Sequence, residues 1–307
     1  MNRFITSKSQ GNILFAVCLL LSTLLPARAD TTNITSSADA GLFENNPDNN
    51  LGGMGFVTSG TTATGFRSRA LFKFDVAAAL PTGAVVSGAS VTFKLGMAQG
   101  IGQNFELHRV LANWGEGTGS GLGGGLGAPA NAGEVTWNSR FHGASLWSTP
   151  GGALGTDFVT ALSASSVLAS PVTFSSGVMA SDVQLWLNNS GTNFGWAIFA
   201  ANEATTFTAS RIITREDVVN RPILTLTYTV PAPATPPLLT NVTANASQFI
   251  FNFAAEAGRS YTVESRALLA TGLWNSATNF PSQPSATIRS VTNQIAGAEG
   301  YFRVRTP

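Results

Sequence analysis

Lys73 stands between Phe72 and Phe74 in the stretch SRALFKFDV, residues 68–76, of a chain that contains only three lysines. Alternation along this stretch puts Ala70, Phe72 and Phe74 on one side of a β-strand and Arg67, Arg69, Lys73 and Asp75 on the other. Lys94 occupies the same kind of position in VTFKL, and His108 lies mid-strand in ELHRV. Cations held at close spacing on one sheet face suit carboxylated sugars, to which they donate charge-assisted hydrogen bonds. Arg67, Arg69, Lys73, Lys94 and His108 are therefore the candidate carbohydrate-binding set, provided that their strands share a sheet. The competing reading is a row of solvated charges, with Lys73 paired to Asp75 or Glu106.

Tryptophan supplies the other common sugar contact, a flat stacking face. Trp186 and Trp196 sit in apolar patterns and read as core, whereas Trp137 and Trp147 lie in loop-like sequence and stay as stacking candidates. Asp39, Glu44, Asp48 and Asn50 crowd the first loop. Their oxygens suit calcium, but the spacing departs from the EF-hand pattern, and Asp and Asn in loops also make side-chain turns. A structural calcium stays open as an addition; no other cofactor and no defined metal ligand set is expected. Two histidines and three tyrosines form no Ser-His-Asp grouping, HExxH or nucleophile elbow. His108 with Tyr228 is the one pair a lyase-type mechanism could draw on, and Tyr228 reads as core. No catalytic residue is assigned, and the chain is not expected to be an enzyme.

The elements that must carry these residues are strands. Glycine is abundant at 32 residues, charged residues make up 11%, and phenylalanine and β-branched residues recur in short runs. Further alternating segments are Val91–Leu95, Asn104–Val110, Phe194–Ala200, Ser210–Arg215 and Ile223–Val230. One segment breaks the pattern. Met179, Val183, Trp186 and Leu187 fall at helical spacing, Ser181 and Gln184 have the form of a capping box, and Gly191 can end the helix. A short helix packed against a sheet is expected there.

Arg3 and Lys8 precede an apolar run from Ile13 to Leu25 that ends in Pro26-Ala27-Arg28-Ala29. Residues 1–29 read as a secretory signal peptide cleaved after Ala29, so the chain is expected to be secreted and extracellular. Cys18, the sole cysteine, lies in the apolar run within a poor lipid-attachment box, so no membrane anchor is expected. Without residues 1–29 the chain has 14 basic and 16 acidic residues, a formal charge of −2. That balance argues against nucleic acid as a partner. A monomer is expected.

The run VPAPATPPL, with four prolines and no charge, marks a boundary. Residues 30–230 form one domain, 231–238 a proline-rich linker, and 239–307 a small β-sandwich of five to seven strands, with Phe249, Phe251 and Phe253 alternating. The glycine-rich run Gly115–Gly127 lacks the Lys-Ser/Thr pair and the helix of a phosphate loop, and reads as a flexible surface loop.

Nine stretches in order give the first domain a family likeness. They are SADAGLFENN with Asp39, RSRALFKFDV, AVVSGASVTFKL, FELHRVLANWGEGT, VTWNS, WSTPGG, DVQLWLNNSGTNFGWAIF, SRIITRE and RPILTLTY. In these the domain resembles the DNRLRE domain, also classed as carbohydrate-binding module family 96, across roughly Asp30 to Val230. The eponymous segment departs from the family pattern and reads Arg211-Ile212-Ile213-Thr214-Arg215-Glu216. The resemblance implies a secreted all-β protein with a jelly-roll β-sandwich, and binding of alginate-like uronate polysaccharides in some members. It also implies that basic residues on a strand contact the acidic sugar, which raises Lys73 and Arg69 above the others. A structural or adhesive protein without a sugar site is the alternative. The stretches GRSYTVESRALLATGLW and YFRVRTP resemble a small accessory β-domain of secreted bacterial proteins.

Overall fold

The computed structural model describes residues 29–121, 126–231, 235–245, 247–267, 273–294 and 300–306. The expected signal peptide falls on residues 1–28, outside the described residues except for its last position. The centre of the glycine-rich run, 122–125, and part of the proline-rich linker, 232–234, also lie outside them. The chain divides into two compact units between Pro231 and Ala232.

The first unit is an all-β sandwich. The strands of its two main sheets are β1 (Ala29–Thr35), β2 (Ala38–Phe43), β3 (Phe56–Thr61), β4 (Arg67–Lys73), β5 (Val85–Phe93), β6 (Leu95–Ala98) and β7 (Asn104–Arg109). They continue with β8 (Ala164–Val167), β9 (Val172–Ser175), β10 (Trp196–Ala200), β11 (Ser210–Ile213) and β12 (Ile223–Thr229). One sheet runs β1-β12-β5-β9, and the other runs β8-β7-β10-β4-β3-β11-β6, with β2 along the free edge of β4. Take β1, β4, β5, β7, β8, β9, β10 and β12 as strands one to eight. The sheets then read one-eight-three-six and five-four-seven-two, the strand order of a jelly roll.

The inner core follows the alternation in the sequence. Ala70 and Phe72 of β4, Val91 and Phe93 of β5, Trp196 and Ile198 of β10, and Leu224 and Leu226 of β12 all bury between the sheets. Helix α2 (Gly177–Asn188) closes one end, contributing Met179, Val183 and Trp186 to the same core. Its N-cap is Ser176, whose Oγ accepts from the Met179 N–H at 3.0 Å. The expected box at Ser181 and Gln184 is thus corrected. Ser181 Oγ donates back to the Gly177 carbonyl inside the helix, and Gln184 Oε1 accepts from the Val86 N–H. A second helix, α1 (Val76–Ala79), is a single turn capped by Asp75.

A second core covers the outer face of the larger sheet. Leu71, Ala197, Phe199, Ala40 and Leu42 of that face pack against Val110, Trp114, Val135, Trp137, Trp147 and Phe158. Those six come from one long excursion, residues 110–163, between β7 and β8. Such a segment has little regular backbone pairing, so hydrogen bonds from buried side chains hold it. Asn50 is the main staple: its amide donates to the Glu116 and Val135 carbonyls and accepts from the Gly52 and Gly119 N–H groups. A Cβ on Gly117 or Gly119 would overlap Asn50, so the described part of the glycine-rich run is packed rather than a free loop.

The second unit, described by itself, has six strands among the described residues. They are β13 (Leu239–Ala244), β14 (Gln248–Ala255), β15 (Tyr261–Arg266), β16 (Asn275–Phe280), β17 (Thr287–Gln294) and β18 (Tyr301–Arg305). Two three-stranded sheets, β13-β14-β17 and β16-β15-β18, enclose Phe249, Phe251, Phe253, Tyr261 and Val263.

Candidate functional site

Strand β4 carries three of the five candidate cations on its outer side, Arg67, Arg69 and Lys73. Arg67 makes a bidentate pair with Glu44, with Nη2–Oε1 at 2.6 Å and Nε–Oε2 at 3.0 Å. Those hydrogen bonds hold the Glu44 carboxyl below its ordinary range against the opposing effect of burial. Arg69 is buried, and every nitrogen of its guanidinium is engaged. It pairs bidentately with Glu203 at 2.6 and 2.8 Å and donates to the Gly151 and Gly152 carbonyls, each at 2.8 Å. Its plane also lies 4.3 Å over the Phe199 ring and 5.6 Å over that of Trp137. Gly151 and Gly152 both take positive φ, and a Cβ on either would enter the Trp137 or Phe158 ring. Glycine is what lets these two carbonyls reach Arg69.

His108 is on β7 of the same sheet but is buried. Its Nδ1 is 2.9 Å from the Val159 carbonyl, and its ring stacks on Phe199. Lys94 is exposed between β5 and β6 and donates to Asn220 Oδ1 at 2.9 Å. The expected single cationic strip is therefore corrected: Lys94 lies off the face, and Arg67, Arg69 and His108 are drawn into contacts with the excursion and its neighbours. Trp137 and Trp147 are corrected likewise. Both are buried in the second core, so neither presents a face to solvent.

Lys73 differs from its neighbours. Among the described residues its ammonium has no hydrogen-bond or ion-pair partner, neither Asp75 nor Glu106. It lines a surface depression of about 320 Å³ with Ser37, Asp75, Ser190 and Asn193. Arg211, not singled out from sequence, also has no acidic partner among the described residues. It stacks on Phe56 at 4.2 Å beside a groove of about 140 Å³. In the second unit the guanidinium groups of Arg266 and Arg303 lie 4.7 and 4.3 Å from the Trp274 ring.

The expected calcium cluster does not form as drawn. Glu44 is taken by Arg67, Asp48 accepts from Asn138, and Asn50 is the staple described above. Asp39 instead meets two carboxylates from distant stretches, Glu116 and Glu216, with one oxygen of each lying within 4.8 Å of the others. Arg215 sits among them, donating to both oxygens of Glu116 at 2.7 and 2.8 Å and, through its backbone N–H, to Asp39 Oδ2 at 3.0 Å. Burial, opposed by that N–H and reinforced by Glu216 and Glu116, pushes the Asp39 carboxyl up to about 8. In a chain with so few charges, a glutamate inside a glycine run and the adjacent Arg215-Glu216 were the signals available.

His108 and Tyr228 lie on strands of different sheets, β7 and β12, so they do not form one acid–base pair. No family model matches this chain, and no curated protein matches it.

Proposed function

We propose that this chain is an exported, non-catalytic carbohydrate-binding protein whose first unit takes an acidic sugar at the Lys73 depression. The observation that carries the reading is the free Lys73 ammonium at the rim of a 320 Å³ depression lined by hydroxyl, amide and carboxylate side chains. A sugar carboxylate against Lys73 gains a charge-assisted hydrogen bond, while Ser37 and Ser190 offer partners for ring hydroxyls. The jelly-roll order of the strands and the resemblance to the DNRLRE domain support the same reading.

The test is affinity electrophoresis or calorimetry on alginate, pectate and neutral glucans, with wild type and Lys73→Ala. Wild type should be retarded by a uronate polymer, less so as salt rises. Retardation by none of the panel would discard the reading. A structural or adhesive role is the second reading. It is favoured by the burial of Trp114, Trp137 and Trp147, which leaves the first unit no indole face for stacking among the described residues.

A further inference from the structure

Asp39 is fully buried, yet its Oδ1 has no hydrogen-bond partner among the described residues; Glu216 Oε2 is in the same state. Both belong to the group whose oxygens converge with Glu116 to within 4.8 Å. Three carboxylates face one guanidinium, so the ionised group carries two surplus negative charges that Arg215 does not balance. Arg215 does not meet those two oxygens: its Nε and Nη2 go to Glu116, and Nε also lies 3.2 Å from Glu216 Oε1. Leaving buried carboxylate oxygens unmatched costs several kcal/mol unless a cation or a proton meets them.

We propose that Asp39, Glu116 and Glu216 form a calcium site that fastens the 110–163 excursion to the sandwich. An all-oxygen carboxylate set selects a hard cation over zinc or copper. Calcium accepts irregular coordination at roughly 2.3–2.6 Å, so oxygens on its opposite sides lie roughly 4.6–5.2 Å apart, a span that holds the observed group. Magnesium demands a near-ideal octahedron at roughly 2.0–2.1 Å, a stricter requirement on three side chains that come from separate segments. Each ligand comes from a different part of the first unit: Asp39 from β2, Glu116 from the excursion and Glu216 from the segment after β11. Closing the site therefore ties the cover to the sheet beneath it.

The test uses the full chain, stripped with chelator and then supplied with calcium or magnesium chloride. Metal content after dialysis should be about one calcium per chain. The melting temperature should rise by roughly 5–15 °C at a large excess of calcium. Asp39→Asn should abolish both effects. Should that variant fail to fold, Glu216→Gln, at a partly exposed position, should still fold and bind calcium at least tenfold more weakly. A wild type that retains no calcium and melts at one temperature with chelator and with calcium would overturn the proposal in favour of a proton shared between Asp39 and Glu216. Equal binding of magnesium would overturn the assignment to calcium. The result does not depend on sugar binding at Lys73, and each experiment can fail without the other.

Discussion

The two faces of strand β4 solve the same problem with different chemistry. On the inner face Ala70 and Phe72 meet apolar side chains from the opposite sheet, and Phe72 packs 4.7 Å from Phe93. On the outer face Leu71 follows Arg67 and Arg69, whose charges are cancelled by Glu44 and Glu203 and whose guanidinium planes lie over Trp137. The inner cover is a sheet with its own hydrogen bonds already made. The outer cover is an irregular excursion with free carbonyls at Gly151 and Gly152, which need donors, and arginine supplies them. A cation on a strand face is thus no sign of solvent when its cover is irregular backbone.

Substitutions that remove one side or the other of this design should have the largest effects. Phe72→Ala leaves a cavity in the inner core and should cost about 3–5 kcal/mol in urea unfolding. Arg69→Met leaves the Glu203 carboxylate and two carbonyls without their donor, and should cost a similar ~3–5 kcal/mol. If Arg69→Met proved neutral, the outer layer would owe nothing to its ion pairs, and the contrast between the faces would collapse. Asn50→Ala comes next, at about 2–3 kcal/mol, because four backbone groups lose their partner at once. Hydrogen exchange should then speed up in the excursion more than in β10 or β12.

Acid should separate the faces further, with a smaller effect. Glu44 has its folded pKa below the ordinary 4.5, so its contribution is present above that value and is lost as pH falls through the folded pKa. The inner side chains of β4, Ser68, Ala70 and Phe72, do not titrate. Asp39 runs in the opposite sense: its folded pKa lies above the ordinary 3.8, at about 8. In chelator, the folded state binds the extra proton, so that contribution weakens as pH rises from about 4 to about 8. Melting curves at several pH values, with and without chelator, resolve the two signs.

Lys73→Ala should be the mildest change to the fold, within about ±0.5 kcal/mol, since no partner is lost. In uronate binding it should weaken affinity by roughly 1.5–3 kcal/mol. Destabilisation with unchanged binding would place Lys73 with Arg67 and Arg69 as part of the cover.

The inner face was legible in the sequence because a sheet buries every second residue. Phe72, Val91, Phe93, Leu224 and Leu226 declare themselves by period alone, as does Trp186 by helical spacing. The outer face was not legible, since Trp137 and Trp147 sit in segments with no period and owe their burial to strands far away in the chain. The same distance hid Glu116 and Glu216 from Asp39. Arg69 was noticed for its position and charge, but its partner Glu203 lies 134 residues away, beyond any local pattern.

In the first unit β1 and β12 are antiparallel neighbours, with Ala29 opposite Thr229 and Thr35 opposite Ile223. A tension applied between residues 29 and 229 therefore enters both strands at the same end of one ladder. Force in that direction opens the hydrogen bonds one after another, as a zipper opens, rather than loading all seven residue pairs together in shear. The unit should yield at low force along that axis in a single-molecule pull, peeling β1 away before the rest of the sandwich gives. A tether under sustained load would need to be gripped elsewhere, whereas a module that hangs from one point and holds a ligand across its body is well served by such a join.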